Sequence, residues 1–448
     1  MGVSDVDPGV GGLRDDLAEA LGWPDLRLLS AQRLTAGASR LTWLVDIACG
    51  AGDVKPLVLQ RERVRGQGLS AVRTESALLR AAAAAGVPVP DVVHVDEVGD
   101  RINGAYVVTA RVEGETLARR ILRDEPFAVA RARFAAQSGE ILAAIHSVDT
   151  SLIPGIEQAD PLDNLERLLD EACDARPALE VGLAWLRAHR PPPVQPALVH
   201  GDFRLGNMIM GPEGIRAVLD WELAHLGDPL EDLGWLSSPA WRFGGDLPVG
   251  GCGTREDLWA AYERATGRRV DPIAAFWWEI HAIVAWGGMC LKQARTHLSR
   301  SSRSPELALL GRRAAECEHD LMHALFPGPA VAAPQTDYPT PVDLYGRPTA
   351  AELVESVHEF LRESFGGELA FQARVAANAL GVVSRELAVG SAPEAAHRQR
   401  LLALGFCDDA AFAALLRSGH IGFTDAVIAA VRADVAQRIA VYNPRYAR

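Results

Sequence analysis

Cysteine is sparse and unpatterned in this 448-residue sequence. Cys49, Cys173, Cys252, Cys290, Cys317 and Cys407 form no C-x-x-C pair and no metal-type spacing, which argues against a zinc or disulfide framework and for buried free thiols in a reducing compartment. Positive charge is also short: 45 lysines and arginines face 58 aspartates and glutamates, for a formal net charge of −13, so a general nucleic-acid binder is not expected. The first residues, Met1-Gly2-Val3-Ser4-Asp5, lack the basic-then-apolar pattern of a signal peptide. The most apolar window, Phe276 to Leu291, carries Glu279 and His281 and is too short to span a bilayer, so a buried helix is expected there. No repeat of fixed period is visible. These absences point to an ordinary cytoplasmic protein with neither a membrane nor a nucleic-acid partner. With 48% hydrophobic residues it can build a sizeable core over two or three domains.

What is present concentrates in one stretch. Leu198-Val199-His200-Gly201-Asp202-Phe203-Arg204-Leu205-Gly206-Asn207 is followed by Val218-Leu219-Asp220-Trp221-Glu222. Four residues separate Asp202 from Asn207, the spacing of a catalytic loop in which the aspartate handles an acceptor hydroxyl and the asparagine holds magnesium. Asp220 ends an apolar run, Ile215 to Leu219, that reads as a short strand. A carboxylate there can hold metal bridging two phosphates. Loop polar residues of this kind also cap helices and turns, but three of them in this order after a strand favour a metal-dependent phosphotransferase acting on something small.

The flanking pattern supplies two lobes and an addition. Residues 13 to 22 carry helical leucine spacing, and Arg33 to Ile47 reads as strand, turn and strand with Thr35-Ala36-Gly37-Ala38-Ser39 in the turn. Leu57 to Gln60 is a third strand, residues 70 to 85 a helix with Glu75 in its first turns and Gly86-Val87-Pro88 as its stop, and Tyr106 to Thr109 another strand. Residues 25–112 therefore read as a small antiparallel-rich lobe. From there to 326 the pattern is mainly helical, a larger lobe over 113–326, and the proline-dense 327–342 reads as a linker. Helical spacing resumes at Thr349–Phe365, Leu369–Leu387, Asp409–Leu416 and Asp425–Val441, so 343–448 is expected to be a separate helical bundle.

On these residues the chain resembles the aminoglycoside phosphotransferase-like kinases, over roughly residues 25 to 325. The most specific matches are His200-Gly201-Asp202 with Asn207, Asp220-Trp221-Glu222, and Gly227-Asp228-Pro229 with Asp232; Leu142 to Asp149 supports them. Within the family it looks most like the branch related to the kinase-like domain in front of some acyl-CoA dehydrogenases. The resemblance implies an α+β, two-lobed protein-kinase-like fold with an added C-terminal helical bundle. It implies that Asp202 orients or deprotonates the acceptor hydroxyl, that Asn207 and Asp220 coordinate Mg2+, and that Thr35, Gly37 and Ser39 cover the phosphates of ATP or GTP. His200, Asp228 and Asp232 would brace the loop, and Arg204 would face a substrate or a phosphate.

One departure stands out. The family places a lysine or arginine on the third strand to hold the phosphates and pair with the helix glutamate. Only two lysines occur: Lys55 comes too early, before Pro56, and Lys292 lies in the other lobe. The strand reads Val58-Leu59-Gln60-Arg61, which makes Arg61 the best available partner for Glu75. Alternation puts Gln60 and Arg61 on opposite faces, and the register is open at this level.

The expected activity is magnesium-dependent transfer of the terminal phosphate of ATP or GTP to a hydroxyl of a small molecule. A hydroxylated metabolite, acyl-CoA-linked by the family branch, competes with an aminoglycoside-like antibiotic. A cationic antibiotic wants an acidic pocket and a CoA ester wants arginines. A nucleotide-binding pseudokinase or regulatory module is the alternative, motivated by the missing lysine, with a phosphate-ester hydrolase third. Trp277, Trp278 and Trp286 are chiefly core by type, with Trp278, Glu279 and Trp286 as candidate acceptor contacts.

Overall fold

The computed structural model describes residues 10–34, 40–50, 52–62, 69–302, 304–328, 349–363, 365 and 369–446. In chain order the elements begin with α1 (Leu13–Leu21), β1 (Leu26–Leu34), β2 (Arg40–Cys49), β3 (Lys55–Glu62), α2 (Leu69–Ala84), β4 (Val92–Asp96), β5 (Tyr106–Ala110), α3 (Ala118–Arg123), α4 (Ala128–Ile145), α5 (Pro161–Ala172) and α6 (Pro177–Ala188). They continue with β6 (Ala197–Val199), β7 (Met208–Gly211), β8 (Gly214–Val218), β9 (His225–Gly227), α7 (Leu230–Ser237), α8 (Arg255–Thr266), α9 (Pro272–Leu298) and α10 (Pro305–Leu325). The last are α11 (Ala350–Glu363), α12 (Leu369–Val389), α13 (Ala392–Ala403), α14 (Asp409–Arg417) and α15 (Asp425–Tyr442). The chain forms two compact units, Met1–Gln158 with Pro192–Ala275, and Ala159–Pro191 with Phe276–Arg448.

In the first unit the five strands β1-β2-β3-β5-β4 form an antiparallel sheet. Alternate residues of β2 from Leu41 on are apolar, as are Leu57 and Leu59 of β3, so one face collects Trp43, Val45, Ile47, Leu57 and Leu59, and Leu13 and Leu17 of α1 join them in one core. Burying a leucine of this kind contributes roughly 1.5–3 kcal/mol. A second core gathers Leu78 and Ala82 of α2, Phe134, Leu142 and Ile145 of α4, and Leu198, Phe203, Met208, Val218 and Trp221 around the catalytic-type segment. The helices α4 and α8 pack closely at Gly139, where a Cβ would stand 2.5 Å from the Leu258 carbonyl oxygen. β6 leads into Asp202 and pairs with β9, which follows Asp220, and the hairpin of β7 with β8 lies between Asn207 and Asp220. Two short ladders thus bracket the polar residues from both sides.

The second unit is helical. Its core joins Ala178 and Val181 of α6 and Met322 of α10 to Leu401, Phe412, Leu416, Val427, Val431 and Val435. The helices beyond the proline-rich segment therefore share a core with α6 and α10, and the boundary expected at 343 falls inside a packed unit. The apolar window expected to be too short for a bilayer lies in α9, which runs 27 residues and is long and apolar enough by length and composition to cross a membrane; 78% of its most apolar 18-residue stretch is buried inside the protein. Trp277 and Trp278 are buried there, and the Trp277 indole donates to the Leu186 carbonyl at 2.9 Å. All six cysteines are free, but Cys173 and Cys407 are exposed and only Cys290 and Cys317 fully buried, so burial was over-read.

Candidate active site

Asp202 follows β6 and is fastened from three directions. Its Oδ1 accepts from Arg204 Nε at 2.8 Å and from the Trp235 indole at 2.9 Å, and its Oδ2 accepts from Asn207 Nδ2 at 2.6 Å. Trp235 comes from α7, 33 residues on, and sequence spacing gave no sign of it. The Asn207 amide nitrogen also donates to the Asp202 carbonyl at 3.1 Å. Its own carbonyl oxygen is thereby left uncommitted among the described residues, an oxygen donor of the kind magnesium takes.

The loop is held from beneath by Asp232, which is fully buried. Its Oδ2 accepts from the backbone N–H of His200 at 2.8 Å and its Oδ1 from that of Gly201 at 2.9 Å, while His146 Nε2 lies 3.1 Å from Oδ2. Burial alone would raise the Asp232 pKa, but the hydrogen bond and charge of His146 outweigh it and hold the carboxyl below its ordinary range. Gly201 has φ +77°, and a Cβ there would meet the Leu223 carbonyl oxygen at 2.5 Å, so glycine is required. Burial pushes the His200 pKa down against the pull of Asp232 and Asp202. The neutral ring accepts from Asp202 N at 3.2 Å through Nδ1 and sits 3.1 Å from the Leu219 carbonyl through Nε2, which puts its proton on Nε2. His200 and Asp232 are thus scaffold, as is Asp228, whose Oδ1 caps α7 at Leu230 N.

Asp220 leaves β8 with φ +66°, a left-handed conformation that a non-glycine residue keeps only when its surroundings enforce it. The turn presents the residue to solvent. Desolvation of its carboxyl, then the charges of Glu222 and Asp202, push its pKa up to about 6 against the opposing pull of Arg204 and Arg40. Among the described residues, the carboxylates of Asp202, Asp220, Glu222 and Glu75 outnumber the guanidinium groups of Arg40 and Arg204. That excess of negative charge suits a divalent cation. No cluster of three or more His, Cys, Asp or Glu side chains stands ready for a metal among the described residues. A magnesium that takes most of its oxygens from phosphates and water needs only one or two protein ligands.

The expected pairing of Arg61 with Glu75 is corrected. Arg61 shares the face of Leu57 and Leu59; it lies 5.0 Å from the Trp43 ring centroid and donates to the Ile102 carbonyl. The glutamate of α2 pairs instead with Arg40, the first residue of β2. Register matches Thr42 with Gln60 and Leu41 with Arg61, so Gln60 is on the Arg40 face and Arg61 on the core face. Thr35, Gly37 and Ser39 lie outside the described residues.

Beside the loop, an open cavity of about 690 Å³ is lined by Arg119, Arg120 and Arg123 of α3, with Asp124, Gly206 and Phe243. Arg120 is committed to Glu115 at 3.0 Å. The Arg204 guanidinium lies 4.7 Å from the centroid of Trp241, whose ring is 6.3 Å from that of Phe243. Sequence reading missed this arginine patch because α3 is short and exposed.

The description "Phosphotransferase enzyme family" matches residues 30–273, more than half of the chain, and a domain of unknown function (DUF6285) matches residues 363–446. Acyl-CoA dehydrogenase family member 10 of Mus musculus is 34% identical over 175 residues, 37% of this chain and 16% of that protein. The chain thus spans under a fifth of the length of that curated relative. A candidate aminoglycoside phosphotransferase of Ralstonia eutropha superposes with a TM-score of 0.55 at 21% identity, covering 69% of this chain and 98% of that one. APH(2″)-IIIa, solved with GDP and kanamycin, gives a TM-score of 0.50 at 17% identity over 69% of this chain and 98% of its own. These structural likenesses establish the two-lobed kinase-like fold.

Proposed function

Since the chain belongs to the phosphotransferase enzyme family and is a small-molecule phosphotransferase, we propose that it transfers the terminal phosphate of magnesium-bound ATP or GTP to a hydroxyl of an anionic small metabolite. The observation that carries this is the convergence of Asp202, Asn207 and Asp220, with Asn207 bonded directly to Asp202. Asp202 takes the acceptor proton while its second oxygen is pinned by Arg204 and Trp235. Asn207 and Asp220 would hold the magnesium, which would supply positive charge against the nucleotide phosphates. The reaction passes through a loose transition state, so positioning and charge compensation supply most of the catalysis. Arg204, on the rim of the loop, offsets negative charge on the transferred group.

The acceptor class follows from charge. With Arg120 paired to Glu115 and Asp124 also in the lining, Arg119 and Arg123 leave the cavity a modest positive excess, which disfavours a polycationic antibiotic and suits a phosphorylated or carboxylated acceptor. Likeness to acyl-CoA dehydrogenase family members supports an acyl-CoA-linked hydroxy acid. The six free cysteines support a reducing, cytoplasmic setting. Gln60 on the cleft face favours a second reading, a nucleotide-binding module without turnover.

A thermal-shift titration with ATP and GTP, with and without magnesium, is the first test, because ligands selective for the native state raise its melting temperature. A magnesium-dependent shift is expected. The Asp202→Asn variant should keep that shift and lose roughly a hundredfold or more of phosphoryl transfer to an anionic hydroxylated acceptor. Unchanged transfer in the variant would sink the assignment of Asp202, and a shift without any transfer in the unmodified protein would favour the binding module.

A further inference from the structure

A kinase-like cleft needs a cation to hold nucleotide phosphates against the helix glutamate, and β3 does not provide it. Gln60 occupies the cleft face of that strand. The other candidate cations considered, among the described residues, are engaged or placed elsewhere. Arg61 is buried against Trp43 and bonded to Ile102. Lys55 is exposed at the start of β3, 4.4 Å from the Trp23 ring centroid. Lys292 ion-pairs with Glu171 at 2.7 Å, and Arg204, bonded to Asp202, belongs to the loop after β6 and not to the sheet.

Among the described residues, one further guanidinium stands on the cleft face beside Gln60. Alternation along β2 sets Arg40, Thr42 and Leu44 opposite Trp43, Val45 and Ile47, which belong to the sheet core. Cross-strand register pairs Thr42 with Gln60 and Arg40 with Glu62, so Arg40 and Gln60 project from the same side of neighbouring strands. Arg40 ion-pairs with Glu75, the two side chains being 14% and 13% exposed. Its guanidinium also feels Glu222 and Asp220, which ties it to the loop proposed to hold metal. It is therefore held by α2 through Glu75, close enough to Glu222 and Asp220 for their charges to act on it.

We infer that Arg40 of β2 is the phosphate-binding cation of this protein, replacing the third-strand lysine or arginine, with Glu75 orienting it and Gln60 as its neutral neighbour. The chemistry fits. A guanidinium has five donors in a rigid fork, so one edge can stay on Glu75 while another meets a phosphate oxygen. The inference rests on the nucleotide-dependent reading above and removes the main argument for a defective site, because a cation is present on the right face from a different strand.

The test compares triphosphate with nucleoside. The full-length chain, Arg40→Ala, Arg40→Lys and the double variant Arg40→Ala with Gln60→Lys are titrated calorimetrically with magnesium ATP and GTP and with adenosine and guanosine; melting without ligand reports folding. Arg40→Ala should weaken triphosphate binding about 10- to 100-fold, the range of a lost charge-assisted hydrogen bond, while nucleoside binding stays within about twofold. Arg40→Lys should keep part of the affinity, and Gln60→Lys should restore much of what Arg40→Ala loses. Equal weakening of nucleoside and triphosphate would mark Arg40 as merely structural and overturn the inference, as would unchanged triphosphate affinity. If Arg40→Ala does not fold, Arg40→Lys against Arg40→Gln carries the same comparison. Folded unmodified protein that binds neither triphosphate would instead remove the nucleotide-dependent reading, and Arg40's role with it.

Discussion

Asp232 makes no contact with a reacting atom in the proposed chemistry, yet it decides the shape of the catalytic-type loop. It terminates the backbone N–H groups of both His200 and Gly201 in a place with no solvent access. Truncation to alanine strands both donors and the His146 ring, at a cost of about 2–4 kcal/mol. Asp232→Ala should therefore lower the melting temperature markedly and abolish transfer, whereas Asp232→Asn, which keeps one acceptor oxygen, should fall between. Urea unfolding of the three proteins checks this, and an unchanged midpoint for Asp232→Ala would show that the loop holds its shape without the carboxylate. At this scale much of the site was legible in the sequence. Asp202, Asn207 and Asp220 lie within 19 residues, and local spacing fixes their order. Trp235 and Arg40 were not legible, since they reach the site through tertiary packing that no local pattern encodes.

Strands set which side of a residue faces the chemistry. The alternation of β3 was readable, and it correctly put Gln60 and Arg61 on opposite faces; the face turned to the core depended on α1 packing against Trp43, Leu57 and Leu59, which the sequence does not order. β1 was legible only from Arg33 onward because its first residues are a mixed run of leucines, arginine and serine without clean period-two contrast. The β6 and β9 ladder carries a testable ion pair. Val199 is opposite His225, whose Nε2 lies 3.2 Å from Glu231 Oε2. Burial alone would lower the His225 pKa, but the hydrogen bond and charge of Glu231 outweigh it and push it up to about 9 from 6.5. A folded value above the unfolded one means the stabilisation is complete below about pH 6.5 and fades as pH rises through about 9. The full shift corresponds to roughly 3 kcal/mol, reduced to about 1–2 kcal/mol because the imidazole is partly solvated. The melting-temperature gap between the unmodified protein and Glu231→Gln should thus be clear at pH 6 and largely gone at pH 10. A gap that widened with pH would contradict the pairing.

Proline density between 327 and 342 advertised a boundary, and composition could do no more, because it says nothing about which helices share a core. The second unit is assembled from segments far apart in sequence: α6 and α10 contribute Val181 and Met322 to the same apolar cluster as Phe412 and Val431. Polar contacts reinforce that assembly. Arg417 at the end of α14 donates to both oxygens of Glu180 in α6, at 2.6 and 2.7 Å, and also ion-pairs with Asp170 of α5. Glu180 is 5% exposed while Arg417 is partly exposed, so it is the carboxylate that cannot simply be rehydrated when its partner is removed. Removing a single member of a buried pair costs about 3–5 kcal/mol, because the remaining charge stays desolvated and alone. Arg417→Ala should therefore destabilise the second unit by about that amount, and adding Glu180→Leu should recover most of it by removing the stranded carboxylate. Phosphoryl transfer measured below the melting transition should be unaffected by either change, since every residue proposed for the chemistry belongs to the first unit. Hydrogen exchange of the amides of α6 and α14 resolves the outcome. Faster exchange confined to the second unit in Arg417→Ala, reversed in the double variant, is the expected result; exchange unchanged by Arg417→Ala would mean that the apolar cluster alone holds these helices together.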